Sequence, residues 1–525
     1  MKHILIITAI ILSFAACESR LDEMRPHNKA EEASYLSSFS NILSSTSGLY
    51  AQFLWSAGGF SDTYFYTVAF HAAGELRGNN VVFNSPFVEP AELNIWFPDS
   101  HFFLHSDQKK QSFAWTFWSK THQIALGASK NIIAIDKMLA SDVVEPGVRA
   151  NLTRLKGENL FLRGLIYFNA LNAFGKPYWD EPDNNPGLAL DTLGSGENLR
   201  QASVHKTFEQ IITDFRRAAD LLPDERADRT YANKTASFGM LSRAYLYMGG
   251  TPDAPNDQYN RLAAQYADST FSLKNDVVSL AQGDDMKGVF DNPKDNAELL
   301  FSFYPGNCNE PMIANLIHSF YSWWGPMAEG AEGEFEHSCV ISKDYEAIMD
   351  VAKDLRWTHW TDTSAYHLGR RVPTKYDGGK VDLLGGMIPG YGFYFFQAPI
   401  VFLRAAEIYL NRAEALVKLG EDAKALDNLN VIRERAGLSP LSGLSGRALF
   451  DEIFLERRRE LAFESQVYYD YTRNGLTMKR TEVSAGYPAF SAAAYNEMNP
   501  RSPARRLTYA IPAEELLLNK ELLPN

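Results

Sequence analysis

The stretch AEALVKLGEDAKALDNLNVIRERAGL, residues 413–438, decides the fold class. Apolar residues recur at helical spacing on both sides of Gly420, and Gly437 closes the second run. Gly420 marks a turn between two helices. Ala425 follows it, with Leu429 and Ile432 on the same face. A small residue at that place lets two helices approach closely, so the spacing predicts a tetratricopeptide-type hairpin.

Working outward, further helical periodicity covers Phe117–Leu139, Leu152–Phe174, Ser203–Leu222, Lys234–Met248, Val401–Leu419, Asp422–Ala436 and about Ser445–Phe463. The endings are chemically marked: Gly175 with Pro177, Pro223, Gly249-Gly250, Gly420 and Gly437. The other pairs match the repeat pattern less well than 413–438, so irregular hairpins are expected and not a regular solenoid. Residues 55–112 and 275–395 lack this periodicity and are rich in Gly, Pro, Asn and aromatic side chains. Irregular segments of that length are more often functional than mere connections. The expected class is therefore mainly α, a tetratricopeptide-like helical hairpin scaffold with large loop-rich insertions and a few short strands.

Composition narrows the function. Of 525 residues, 45% are hydrophobic and 13% aromatic, enough to build a large core, so a mainly disordered chain is excluded. With 51 Lys and Arg against 64 Asp and Glu the net charge is −13, which disfavours nucleic acid as a partner. Lys2 and His3 precede an apolar run, Ile4 to Leu12, and then Ser13-Phe14-Ala15-Ala16 before Cys17. The run is shorter than the ~20 residues of a spanning helix and reads as an export signal. The small residues ahead of Cys17 resemble a bacterial lipoprotein box, so residues 1–16 are expected to be cleaved and Cys17 to carry lipid. Polar residues 17–34 suit a tether. The next apolar candidate, Ile400–Leu419, contains Arg404, Glu407, Arg412 and Glu414. A charge at the bilayer centre costs ~3 kcal/mol on insertion scales, so anchoring and not threading is expected. Cys308 and Cys339 could pair in an oxidising compartment or remain two buried thiols; sequence separation leaves both open.

Few motifs point to catalysis. H-E-x-x-H, G-x-S-x-G and G-x-x-x-x-G-K-[ST] do not occur. Glu332, Glu334 and Glu336, or Asp180, Glu181 and Asp183, could supply paired carboxylates, but solvated loop charge is the simpler reading. No metal is expected, although the oxygen-rich 180–185 loop could take a structural calcium ion, and His337 beside Glu336 could contribute to a cation site. Glu456, Glu460 and Glu464 repeat every four residues, which as bare like charges would destabilise a helix. Arg457, Arg458 and Arg459 between them predict a structural ion-pair network, and Arg404 with Glu407 reads similarly. The aromatic groups say more. Phe320-Tyr321-Ser322-Trp323-Trp324-Gly325-Pro326 lies in the irregular region. Adjacent tryptophans on a strand point to opposite faces, so one of the two is expected to be exposed or to close a cleft. A Trp face suits the CH-rich side of a pyranose ring. Trp323, Trp324, Tyr321, Trp96 and Trp360 are the candidate ligand-binding residues, with Trp357 in the same company.

Many ordered points along the chain resemble the SusD/RagB family of outer-membrane nutrient-binding lipoproteins. Gly157 to Pro177 carries Leu162, Arg163, Tyr167, Phe168 and Gly175 in the family's order. Ile211–Pro223, Ala236–Gly249 and the short strand Glu298–Phe303 follow. The closest match is Arg404–Gly437, with Arg404, Ala406, Glu407, Tyr409, Leu410, Ala413, Glu414 and Ala415. Then come Glu456-Arg457-Arg458, Glu460 to Glu464, Asp470, Arg473, and a tail with Ile511-Pro512, Glu515 and Asn519. Ser465 stands where the family usually has Gly, Val467 for Arg, Tyr471 for Leu and Lys520 for Pro. The resemblance implies one domain over 35–525, with a helical scaffold at about 113–272 and 399–475 and variable insertions at about 55–112 and 275–395. It implies a non-catalytic protein without cofactor, lipid-anchored at the outer membrane and facing the cell exterior. Such a protein captures a glycan, or in some members a peptide, and delivers it to a TonB-dependent barrel of the SusC type. A polysaccharide-degrading enzyme and a protein-only adaptor are the rival classes.

Overall fold

The computed structural model describes residues 35–54, 66, 70, 72–83, 113–141, 144–224, 228–291, 296–304, 322–323, 336–337, 339–364, 369–376, 380–382, 394–396, 399–482, 497–502 and 508–525. Eleven helices carry the scaffold: α1 (Phe39–Leu54), α2 (Phe113–Leu139), α3 (Pro146–Phe174), α4 (Val204–Leu221), α5 (Lys234–Met248), α6 (Asp257–Phe271), α7 (Ala405–Lys418), α8 (Asp422–Arg435), α9 (Gly446–Glu460), α10 (Val467–Arg473) and α11 (Ala513–Leu518). No described helix is long and apolar enough to cross a membrane.

Helix α3 is the centre of the first half. From Leu160 to Leu171 every side chain is buried, as expected for a helix covered on all sides. It packs between α2 and α4, and α5 then joins α4 to α6. Ser203 caps α4 by accepting the Lys206 N–H at 3.2 Å, and Asn233 and Asn256 cap α5 and α6 in the same way. The α7–α8 hairpin ends each helix as its glycine predicts. Gly420 has φ +76°; its N–H bonds to Val417 O, and the Glu421 N–H reaches Leu416 O at 2.9 Å. Gly437 repeats the arrangement at the end of α8. Ala425, Leu429 and Ile432 are wholly buried on the inner face of the hairpin.

One expected boundary is corrected. Val401–Leu419 reads as a single helix, but Ile400–Arg404 is a strand and α7 begins at Ala405. The run Ile400-Val401-Phe402-Leu403 is buried on both faces, and a short apolar run of that kind has no periodicity to separate strand from helix. Seven strands matter below: β1 (Val81–Phe83), β2 (Leu299–Phe303), β3 (Ser322–Trp323), β4 (Glu336–His337), β5 (Cys339–Ile341), β6 (Arg370–Pro373) and β7 (Ile400–Arg404). Antiparallel pairs form between β2 and β7, β1 and β5, and β3 and β4.

Around the β2–β7 pair lies a web of buried charge. Arg404 donates to Glu298 at 2.8 Å, to Glu460 at 2.6 Å and, through two nitrogens, to Glu464 at 2.7 and 2.8 Å. Arg435 bonds Glu298 and Glu460, and Arg356 joins Glu460 (3.0 Å), Glu456 (2.7 Å) and Asp354 (2.7 Å). Lys375 completes it on Glu464 and on the carbonyls of Glu460 and Ala462. Burial alone would raise the Glu460 carboxyl. The guanidiniums of Arg435, Arg404 and Arg356 outweigh it and hold the group well below the usual carboxylate range. The predicted ion-pair network of Glu456, Glu460 and Glu464 is thus present, with the difference that α9 ends at Glu460 and Glu464 lies in the turn beyond. Glu460→Gln leaves three buried guanidiniums short of a countercharge, which should cost ~3–5 kcal/mol in urea unfolding. A loss under ~1 kcal/mol would show that the web is dispensable.

Candidate functional site

The candidate binding face is built on strands tied to this scaffold. Strand β5 pairs with β1 in the register Val81↔Ile341, Val82↔Val340 and Phe83↔Cys339. Val82 and Val340 form a small buried cluster with Val372 of β6. Polar clamps hold the end of β5. The Ser342 hydroxyl donates to Asn79 O at 2.6 Å and the Ser342 N–H to Asn80 O at 3.0 Å. Arg370 donates to Ile341 O at 2.9 Å and pairs with Glu482 at 2.7 Å. Strand β4 lies one residue upstream of β5, and its Glu336 stands opposite Trp323 of β3. The Trp323 backbone therefore sits in a hairpin whose second strand leads directly into a clamped framework strand.

Trp96, Tyr321 and Trp324 lie outside the described residues, as do Cys17 and Cys308. Cys339 is wholly buried, and burial pushes its thiol up.

Trp360 is corrected. It is 1% exposed, with the Lys375 ammonium 3.9 Å from its ring centroid and Phe290 edge-on at 5.8 Å. Arg404 lies 5.6 Å away on the same ring. A ring whose faces are taken by a buried cation and a phenyl group offers no platform to a ligand. It cushions the charge web by cation–π attraction instead. Trp357 is also inside, at 7% exposure, beneath the Arg371 guanidinium at 4.6 Å.

The sequence reading passed over a second aromatic group, at the C-terminal end of α3. Tyr178, Phe208 and Tyr247 line a small hollow rimmed by Asn172, Lys176, Thr472 and Thr508. Tyr178 hydrogen-bonds His205 Nδ1 at 2.6 Å and Tyr259 at 3.2 Å, and Trp179 donates to Thr472 O at 2.9 Å. The hollow holds about one water and cannot seat a sugar ring. Among the described residues no group of three His, Cys, Asp or Glu side chains could hold a metal ion. In the 180–185 loop the polar groups serve the turn itself: Asn185 donates to Asp180 O, and Lys176 pairs with Asp180 at 3.1 Å.

The described residues form a scaffold of helical hairpins that carries a minority of short strands. Two family models match the chain: one described as the SusD family over residues 390–525, and one described as starch-binding associating with outer membrane over residues 75–246. The chain belongs to the SusD/RagB family. It is 23% identical over 439 residues to SusD-like protein P2 of Formosa agariphila, covering 78% of this chain and 79% of that protein. SusD-like protein P25 of the same organism is also 23% identical, over 77% of each. Among solved structures, a SusD superfamily protein from Bacteroides thetaiotaomicron superposes with a TM-score of 0.73 at 22% identity, covering 93% of this chain and 99% of its own. A SusD-like carbohydrate binding protein from Bacteroides vulgatus gives 0.71 at 20% identity, covering 93% and 97%. The mainly α, tetratricopeptide-like fold is that of the SusD superfamily.

The burial of Trp360 has a direct test. Trp360→Ala empties a core site and should lower stability by ~3–5 kcal/mol in chemical denaturation. A variant with the wild-type midpoint would return Trp360 to the surface candidates.

Proposed function

We propose that this protein captures a glycan at the cell surface and delivers it to a TonB-dependent barrel of the SusC type, without catalysis. The observation that carries the reading is the pair of family matches. The description starch-binding associating with outer membrane falls on residues 75–246, and the SusD family match takes the C-terminal part. The carbohydrate-binding description of the Bacteroides vulgatus relative of the same fold is in keeping with it.

In this reading residues 1–16 are removed, Cys17 carries the lipid, and residues 17–34 form the tether of a domain at 35–525 that faces the exterior. Its insertions, at about 55–112 and 275–395, hold the ligand. Trp323, Trp324, Tyr321 and Trp96 supply the platform, stacking on pyranose faces while polar neighbours take the hydroxyls. Affinity is expected to be modest, because a ligand held for long cannot be passed on.

Calorimetry of the purified protein with a panel of polysaccharides, and with peptides as a control, tests the binding. Trp323→Ala and Trp324→Ala should between them weaken the bound glycan on the order of tenfold, ~1.4 kcal/mol. Unchanged affinity in both variants would place the platform elsewhere, and new reducing ends in the mixture would mean an enzyme. The anchor is tested separately. Cys17→Ala should abolish lipid labelling and release the protein from the membrane fraction; continued labelling would overturn the assignment.

A further inference from the structure

Among the described residues, five of the ten exposed large apolar side chains, Ile133, Leu193, Leu517, Leu518 and Leu523, lie on segments that are joined to one another. Leu193 is 80% exposed and Ile133, the least exposed of the five, 44%. The 191–201 segment lies along α2: the Ser129 hydroxyl donates to Asp191 O at 2.6 Å, and a Cβ on Gly194 would come within 3.4 Å of Ile133 Cδ1. The C-terminal stretch is tied to the same segment. Asn198 Nδ2 donates to Leu518 O at 3.2 Å, Asn519 Nδ2 to Leu199 O at 3.0 Å, and the Leu523 N–H to Gln201 Oε1 at 2.7 Å. Asp191 braces the turn that carries Leu193 by accepting the Ser195 and Gly196 N–H groups at 3.0 and 2.7 Å. Asn525 fixes the tail by donating to Phe174 O and Tyr509 O at 2.6 and 2.7 Å. The leucines are thus held out in water by a hydrogen-bonded framework and not carried on a frayed end. Exposed apolar groups collected in this way mark a surface that another molecule covers.

We infer that this face, formed by α2, the 191–201 segment and α11, is where the protein seats on the membrane-embedded barrel to which it delivers its ligand. The inference rests on the delivery reading given above. Its first support is position. Helix α1 runs antiparallel along α2, since Ser45 donates to Asn131 at 2.8 Å and Ile42 packs with Ile135. The chain therefore enters the domain at the C-terminal end of α2, the end nearer Ile133. Tyr35 stands 18 positions after Cys17, a span of at most ~60 Å in any conformation. With lipid on Cys17 the face stays within reach of the bilayer, where the rim of a barrel stands, and the tether raises the effective concentration of one for the other.

Charge separates a barrel from the two other surfaces within reach, the lipid and a second copy of the chain. Within 191–201 and 513–523 five acidic residues stand against Arg200 and Lys520, and Lys130 beneath Gly194 brings the balance to −2. Faces that dip into a bilayer carry Lys and Arg around their apolar centre, the opposite of this one. A second copy related by a two-fold axis would bring the same acidic rim onto itself. A protein surface with an apolar centre and a basic rim complements both the leucines and the charge around them.

The test recovers the full lipidated chain by affinity from membranes of its own host in mild detergent, and identifies and quantifies the accompanying barrel by peptide mass spectrometry. Leu193→Lys combined with Leu518→Lys should lower the barrel recovered by on the order of tenfold. The denaturation midpoint and the retention of the protein in the membrane fraction should not change, because both side chains already lie in water. A photoactivatable group at position 518 of the otherwise unaltered chain should cross-link to peptides of the barrel. A double variant that keeps its barrel overturns the docking face and leaves the delivery reading standing. A wild type that brings no barrel overturns the delivery reading and the face with it. Cross-links to phospholipid, or to a second copy, in place of barrel peptides give the face to those surfaces and overturn the docking.

Discussion

The Arg404 guanidinium fixes the architecture more than any other single group. It sits at the end of β7 with no solvent exposure and uses all three nitrogens, on Glu298 from the edge of β2, Glu460 from the end of α9, and Glu464 beyond it. A buried guanidinium is costly unless its charge and most of its donors are matched by carboxylates and carbonyls. Each carboxylate it recruits is buried too, and must find further cations: Arg435 from α8, Arg356 from the short helix Leu355–His359, and Lys375 after β6. The hydrophobic effect gathers these elements but does not distinguish one arrangement from another. The hydrogen-bond geometry of the web does so, because a misplaced strand would leave a charge unpaired. Elements drawn from residues 298 to 464 are thereby made to fold as one piece.

Helix α9 feeds two such webs from different sides. Glu456 and Glu460 serve the first; Arg457, one residue after Glu456, turns to the second. There it bonds Asn411 at 2.7 Å and Asp470 at 3.2 Å. Arg473 grips Glu414 with two bonds of 2.6 Å and Asp470 with two more, at 2.6 and 2.9 Å. Lys418 closes the group on Glu414, Asn474 and the Gly250 carbonyl. The second web ties the α7–α8 hairpin to α10 and to the turn after α5. A helix with charged residues on successive faces ordinarily lies in solvent. Here both faces are inside, so its charges act as structural ties between the two halves of the scaffold.

What the sequence made legible follows from these constraints. Gly420, Gly437 and Ser203 could be read because each reports a local backbone requirement that neighbours reveal, whereas the short strand at 298–303 was legible only through the resemblance to the family. The four-residue spacing of Glu456, Glu460 and Glu464 with intervening arginines pointed to pairing, but not to the partners, which lie up to 104 residues away in the case of Arg356 and Glu460. The β7 strand was misread as helix because its apolar residues are contiguous and only their pairing with β2 identifies them. Helix α1 gave no clear signal; its buried Phe53 stacks on Phe303 at 4.3 Å, a tertiary contact that local periodicity does not contain. Ser465 is the instructive departure. Where the family usually has glycine the backbone is indeed left-handed, and serine is tolerated there through its bonds to Glu75 and Phe70.

The tryptophans show why the candidate site was the harder half of the problem. Trp360 and Trp323 are alike in sequence company, each within a segment rich in glycine and aromatic residues. Trp360 is inside because Lys375, two residues past the end of β6, is drawn over its ring by Glu464. No property of residues 355–362 announces that cation. Trp323 instead belongs to a hairpin whose second strand is continued by β5, and the register with Glu336 is what ties it to the scaffold. The web that holds Arg404 and Arg435 itself draws on the 275–395 segment, through Glu298, Asp354, Arg356 and Lys375, so that segment is tied to the scaffold at these points and variation that spares them leaves the web intact.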